Sequence, residues 1–133
     1  MISFFSARTL VLPALCLAAI QASQDATPLP LKHGVYIQKA FACKGAPNAA
    51  IRVWDGVGFS GAHSSQCKSR VVSHKGSSFQ MSTTCAARGD GSPESSTVAD
   101  EFSLSAMSKT GFVMSRRDEP GVAYRWCSAG SVD

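Results

Sequence analysis

Four cysteines, Cys43, Cys67, Cys85 and Cys127, are the residues of this chain best equipped for chemistry. Thiols of this kind bind metals, carry redox steps or form disulfides. No two of them make a Cys-x-x-Cys unit, and none stands beside a histidine. Metal and redox readings therefore lack their usual spacing, and two structural disulfides are expected. Four cysteines allow three pairings. A hairpin turning near residues 75–77 sets Cys67 opposite Cys85, which leaves Cys43 for Cys127; this set is slightly favoured over Cys43 with Cys67 and Cys85 with Cys127. Cys127 fits awkwardly, because its parity is opposite to that of Tyr124 and Trp126.

Other reactive side chains are scattered. The run Gly58-Phe59-Ser60-Gly61-Ala62 resembles a nucleophile elbow only in part, since Ala62 stands where the pattern needs glycine. His33, His63 and His74 have no partner at ligand spacing, and no metal site or cofactor is expected. Arg88-Gly89-Asp90 is the tripeptide that adhesion receptors read, but its glycine and the following Gly91 also suit a turn. The cluster Arg116-Arg117-Asp118-Glu119 nearly cancels its own charge and reads as a solvated hairpin end.

The elements that must position these residues are strands. Apolar side chains alternate with period two along most of the chain, and no helical repeat is sustained. Strands are expected near 33–43, 49–54, 57–62, 67–74, 77–86, 98–107, 111–117 and 122–127, separated by turn signals such as Asp55-Gly56, Lys75-Gly76 and Glu119-Pro120-Gly121. Short loops favour antiparallel neighbours. The fold class is all-β: a small antiparallel meander barrel or sandwich of seven to eight strands, stapled by two disulfides. So narrow a barrel should be filled by side chains, with little room for a ligand. Trp54 and Phe59 are residue types that anchor binding surfaces. If Ile51 and Val53 face the core, Trp54, at the opposite parity, faces solvent.

Residues 1–22 read as a cleaved signal peptide: Arg8 precedes an apolar run at 9–20 that is too short to span a bilayer, and Ala22 suits cleavage. Cys16 falls inside that run, preceded by Leu15, and reads as part of the leader rather than a lipid anchor. Cleavage leaves 133 − 22 = 111 residues, with 12 Lys and Arg against 9 Asp and Glu. Residues 23–32 form an extended arm, 33–128 one β domain and 129–133 a tail. The location expected is secreted or periplasmic, with no transmembrane segment after cleavage. The weak, scattered positive charge does not imply nucleic-acid binding.

Ser60, Gly61, Ala62, His63 and Ser64 lie in a loop of this small exported domain. Together with the architecture, they resemble the periplasmic and membrane-bound inhibitors of C-type lysozyme, whose Ser-Gly-x-x-Tyr loop enters the enzyme's cleft. Ser64 stands at the tyrosine position, and Ser108-Lys109-Thr110-Gly111 echoes the family's second motif in changed order. The resemblance implies a non-enzymatic module that blocks a lysozyme-type hydrolase, with Ser60 hydrogen-bonded to a catalytic carboxylate. Ser60, Gly61, His63, Trp54 and Phe59 are the expected binding residues. The alternative is a structural or host-facing envelope protein.

Overall fold

The computed structural model describes residues 29–95 and 97–132. The leader at 1–22, Cys16 and the first part of the arm lie outside the described residues. Eight antiparallel strands follow one another: β1 Gly34–Gln38, β2 Ile51–Trp54, β3 Phe59–Ser60, β4 Ser64–Lys75, β5 Ser78–Arg88, β6 Asp100–Ser105, β7 Gly111–Ser115 and β8 Val122–Cys127. They form one sheet in the order β3-β2-β1-β8-β7-β6-β5-β4. The first strand pairs with the last, Val35 opposite Cys127 and Gln38 opposite Tyr124, so the meander curls into a nearly closed barrel.

The remaining seam lies between β3 and β4. The Ser69 amide donates to the Val57 carbonyl at 2.9 Å, and the Phe59 amide donates to the Ser69 hydroxyl at 3.0 Å. Backbones approach so closely here that a Cβ at Gly58 would lie 2.1 Å from the Cys67 carbonyl oxygen. Only glycine fits that position.

Inward positions fill the barrel with Tyr36, Trp54, Phe59, Phe79, Met81, Phe102, Leu104, Phe112, Met114 and Tyr124. Their rings interlock: Phe112 stacks on Tyr124 at 5.1 Å, and Phe59 meets Phe102 edge-on at 5.8 Å. One end of the barrel, the base, is closed by the arm. Leu29 and Leu31 are buried in the core there, each contributing roughly 1.5–3 kcal/mol. The Lys32 amide donates to the Lys109 carbonyl at 2.8 Å, and the buried Tyr36 hydroxyl donates to the Lys32 carbonyl at 2.7 Å. Burial pushes that phenol up to about 12.

Two disulfides are present, Cys43–Cys127 and Cys67–Cys85. Cys67 and Cys85 face each other directly across β4 and β5. Cys127 does point away from the barrel interior, as its parity requires, yet it is buried. The 39–50 loop folds over the outer face of β8 and brings Cys43 to it. Arg125, two residues earlier on the same face, braces the loop by donating to the Phe41 carbonyl at 2.7 Å and toward the Cys43 sulfur at 2.9 Å. β1 therefore ends at Gln38 rather than near residue 43.

The Asp55-Gly56 turn joins β2 to β3 at the base. The Asp55 carboxylate accepts hydrogen bonds from the Val57 and Gly58 amides, each at 2.8 Å. The Gly58 bond, helped by the Val57 amide and the nearby His33 charge, holds the Asp55 carboxyl below its ordinary range. A depressed carboxyl stabilises the fold above the unfolded-state pKa, and that contribution fades as pH falls through the folded value. Asp55→Asn should therefore flatten the acid limb of stability below about pH 4, measured by urea unfolding across pH. A limb as steep as that of the wild type would contradict this assignment.

The seam makes a second expectation. Gly58→Ala should lower stability by about 1–3 kcal/mol or more, because either strand must shift. Gly130→Ala, whose Cβ meets nothing within 4 Å, should be close to neutral in the same unfolding experiment.

Candidate functional site

The end of the barrel opposite the base is a mouth. Four connections surround it: residues 39–50, 61–63, the described parts of the β5–β6 connection at 89–95 and 97–99, and 116–121. Within the rim lies an open cleft of about 470 Å3. The interior beneath it is filled by side chains, as expected, whereas the mouth leaves more room for a ligand than so narrow a barrel suggests. The inward residues of β5 that line the cleft, Thr83 and Cys85, are small, whereas Phe79 and Met81 fill the levels below. β4 and β5 are also long, at 12 and 11 residues, beside strands of 4 and 2 residues in β2 and β3. The wall they form rises past the packed rings.

Phe59, Phe102 and Met114, all buried, form the apolar floor. Ser60, Gly61 and His63 stand along one side of the cleft. They belong to a tight connection between β3 and β4. The Ser64 amide donates to the Gly61 carbonyl at 3.3 Å, and the Gly61 amide donates to the Ser64 hydroxyl at 3.1 Å. These reciprocal bonds hold His63 exposed at the tip.

Of the five expected binding residues, then, Ser60, Gly61, His63 and Phe59 come together. Trp54 does not join them and is not exposed. It is only 6% accessible and packs on Phe59 with ring centroids 4.7 Å apart. The parity argument for β2 is inverted: Trp54 and Arg52 face inward, while Ile51 and Val53 face outward and are partly covered. On that face they stand opposite Ile37 and Val35 of β1, so an apolar side chain on β2 need not mean the barrel core.

Three charged residues at the mouth were not anticipated as site residues. Arg116 and Asp100 face each other from β7's end and β6's start. The guanidinium donates from Nε to Oδ1 at 3.1 Å and from Nη2 to Oδ2 at 2.6 Å, a two-bond fork. That carboxylate raises the Arg116 guanidinium further above its ordinary value. Arg116 is thus a built part of the rim, and only Arg117, Asp118 and Glu119 behave as the solvated hairpin end. Arg52 enters the cleft from β2, and its Nη1 donates to the Ile51 carbonyl at 2.7 Å and the Ala49 carbonyl at 3.3 Å. Its inward parity was readable only once Trp54 is placed in the core.

The histidines do not converge. His63 is at the mouth, whereas His74 lies at the far end of β4, stacked on Phe79 at 4.7 Å. His33 sits at the base beside Gly56. The described residues hold no cluster of three or more His, Cys, Asp or Glu able to bind a metal ion.

Arg88-Gly89-Asp90 also meets the mouth, in a structural role. A Cβ at Gly89 would lie 1.8 Å from the Ala62 carbonyl oxygen, so this glycine lets the 89–99 loop press against the 61–63 tip. Asp90 turns back on its own loop, accepting from the Ser92 amide at 2.9 Å and the Ser92 hydroxyl at 2.6 Å.

No family model, curated protein or solved structure matches this chain. No helix among the described residues is long and apolar enough to cross a membrane, and two disulfides suit an oxidising, extracellular or periplasmic setting.

Gly89→Ala should shift the His63 ring resonances in proton NMR and cost about 1–3 kcal/mol in unfolding, since the two loops must part. Asp90→Ala, at a fully exposed carboxylate, should leave the His63 resonances in place. Equal behaviour of the two variants would contradict the packing role assigned to Gly89.

Proposed function

We propose that the chain is an exported, non-enzymatic binding module whose working face is the mouth of the barrel. One observation carries this reading: the two ends of the barrel are built differently. The base is sealed by Leu29, Leu31 and the Tyr36 hydrogen bonds, while the mouth keeps an open cleft among four connections. Concave sites with an apolar floor and a few fixed polar groups are the usual seats of ligands. A covalently stapled scaffold also keeps the rim preorganised, which lowers the ordering cost of binding.

The partner class proposed is a lysozyme-type hydrolase, blocked by occlusion. Support comes from the 60–64 segment, which holds Ser60 and His63 at the rim on a hydrogen-bonded tip. Arg52 and Arg116 nearby lend the face positive charge that complements catalytic carboxylates.

The test is a titration of the purified, oxidised protein against several lysozyme types at micromolar concentration. The wild type should lower the activity of at least one. Ser60→Glu, which sets a carboxylate against the target's own, should abolish that effect. Lys75→Glu, at the opposite end of β4, should not. Unchanged activity of every lysozyme, or equal inhibition by both variants, would sink the proposal.

A further inference from the structure

We infer that the mouth cleft is a receptor for a small organic carboxylate with an apolar body, held by Arg52. The inference rests on the mouth as the working face and names what enters it.

Two arginines line the cleft, and they differ in one respect. Arg116 uses its Nε and Nη2 edge to grip both oxygens of Asp100. Arg52 uses only Nη1, on the Ile51 and Ala49 carbonyls. Those two bonds tether the guanidinium to its own strand and to the turn just before it. Among the described residues, its Nε and Nη2 donate to no protein group, and no carboxylate pairs with it. The side-on edge that Arg116 has filled therefore has no protein partner on Arg52 among the described residues, and Arg52 lines the cleft.

A guanidinium cannot lose its charge in a protein, so the free edge calls for an anion, and a planar carboxylate matches it with two parallel bonds. The rest of the cleft defines the body of the ligand. Phe59, Phe102 and Met114 offer an apolar floor, and the volume of about 470 Å3 falls within the range of small-molecule sites. Fixed negative charge in the cleft is already engaged: Asp100 with Arg116 at 2.6 Å, and Glu94 with Arg88 at 3.7 Å. An entering carboxylate thus meets one open cation rather than a field of acids. The Arg52 guanidinium carbon also lies 5.9 Å from the Tyr124 ring centroid, which limits its swing toward the core.

Two sources carry this chemistry, a free fatty acid and the C-terminus of an apolar peptide. Calorimetric titration of the oxidised protein separates them with four probes: decanoate, 1-decanol, and an apolar tripeptide with a free or an amidated C-terminus. At least one carboxylate should bind saturably with unit stoichiometry, and its uncharged counterpart should bind at least about tenfold more weakly. Arg52→Gln should weaken the carboxylate by a similar factor, and Arg52→Lys, which keeps charge but loses the fork, should fall between. Thermal unfolding of each variant checks the fold, and Arg52→Lys carries the test if Arg52→Gln does not fold.

Binding by neither carboxylate, or equal affinity for the charged and uncharged probes, would overturn the inference. So would affinity unchanged in a folded Arg52 variant. If carboxylates fail while Ser60→Glu still abolishes hydrolase inhibition, this inference falls alone. If Ser60→Glu leaves inhibition intact, the reading beneath it falls instead.

Discussion

Everything in this molecule depends on the pairing of the first strand with the last. β1 meets β8 from Val35 opposite Cys127 to Gln38 opposite Tyr124. Without that ladder the sheet falls into two pieces, β3-β2-β1 and β8-β7-β6-β5-β4, joined only at the β3–β4 seam and each with an unpaired edge that invites association. With it, only the short β3–β4 seam remains, and Gly58 lets the backbones close there. The pairing is also the most non-local in the fold, so its loop-closure cost is the largest. The Cys43–Cys127 disulfide spans 84 residues and acts on that term, stabilising by roughly 4–5 kcal/mol in the chain-entropy picture. Cys67–Cys85 spans 18 residues and secures one hairpin that is already local.

The same closure makes the two ends unequal. β1 is entered from the arm, so Leu29 and Leu31 fall across the base as the strand pairs. It leaves into the 39–50 loop, which is tied down on the outer face of β8 by Cys43 and Arg125. That loop continues into β2 and delivers Arg52 inward at the mouth. The free edge of Arg52 thus follows from how the barrel is shut. A sealed base and an anchored rim are what a rigid receptor of small ligands or protein loops requires.

Much of the fold was legible in the sequence because period-two alternation and Gly-containing turns are local signals. Each of the eight strands overlaps its expected span, β8 to the residue, although β1 stops five residues early and β3 is only two residues long, and the favoured disulfide set is the one formed. What alternation could not reveal is which face of β1 and β2 is the interior. Ile37, opposite Arg125 of β8, is wholly buried on the outer face, while Tyr36 is wholly buried on the inner one. Both faces carry buried or partly buried apolar side chains, so parity alone does not choose, and the conditional that puts Trp54 in solvent starts from the wrong face. The site was legible in part. Ser60, Gly61, His63 and Phe59 do gather at the mouth. Arg52, Asp100 and Arg116 were hidden because their roles need strands distant in sequence to be brought together.

β1 and β8 together shut the barrel and hold its mouth in place. Native-state hydrogen exchange of the oxidised protein tests this most directly. The paired amides of β1 and β8 should be among the slowest in the molecule and exchange only through global unfolding. Amides of the 89–99 loop should exchange orders of magnitude faster. Exchange of the β1 and β8 amides at the rate of that loop would contradict the account, because the barrel would then be opening at the very pairing said to close it.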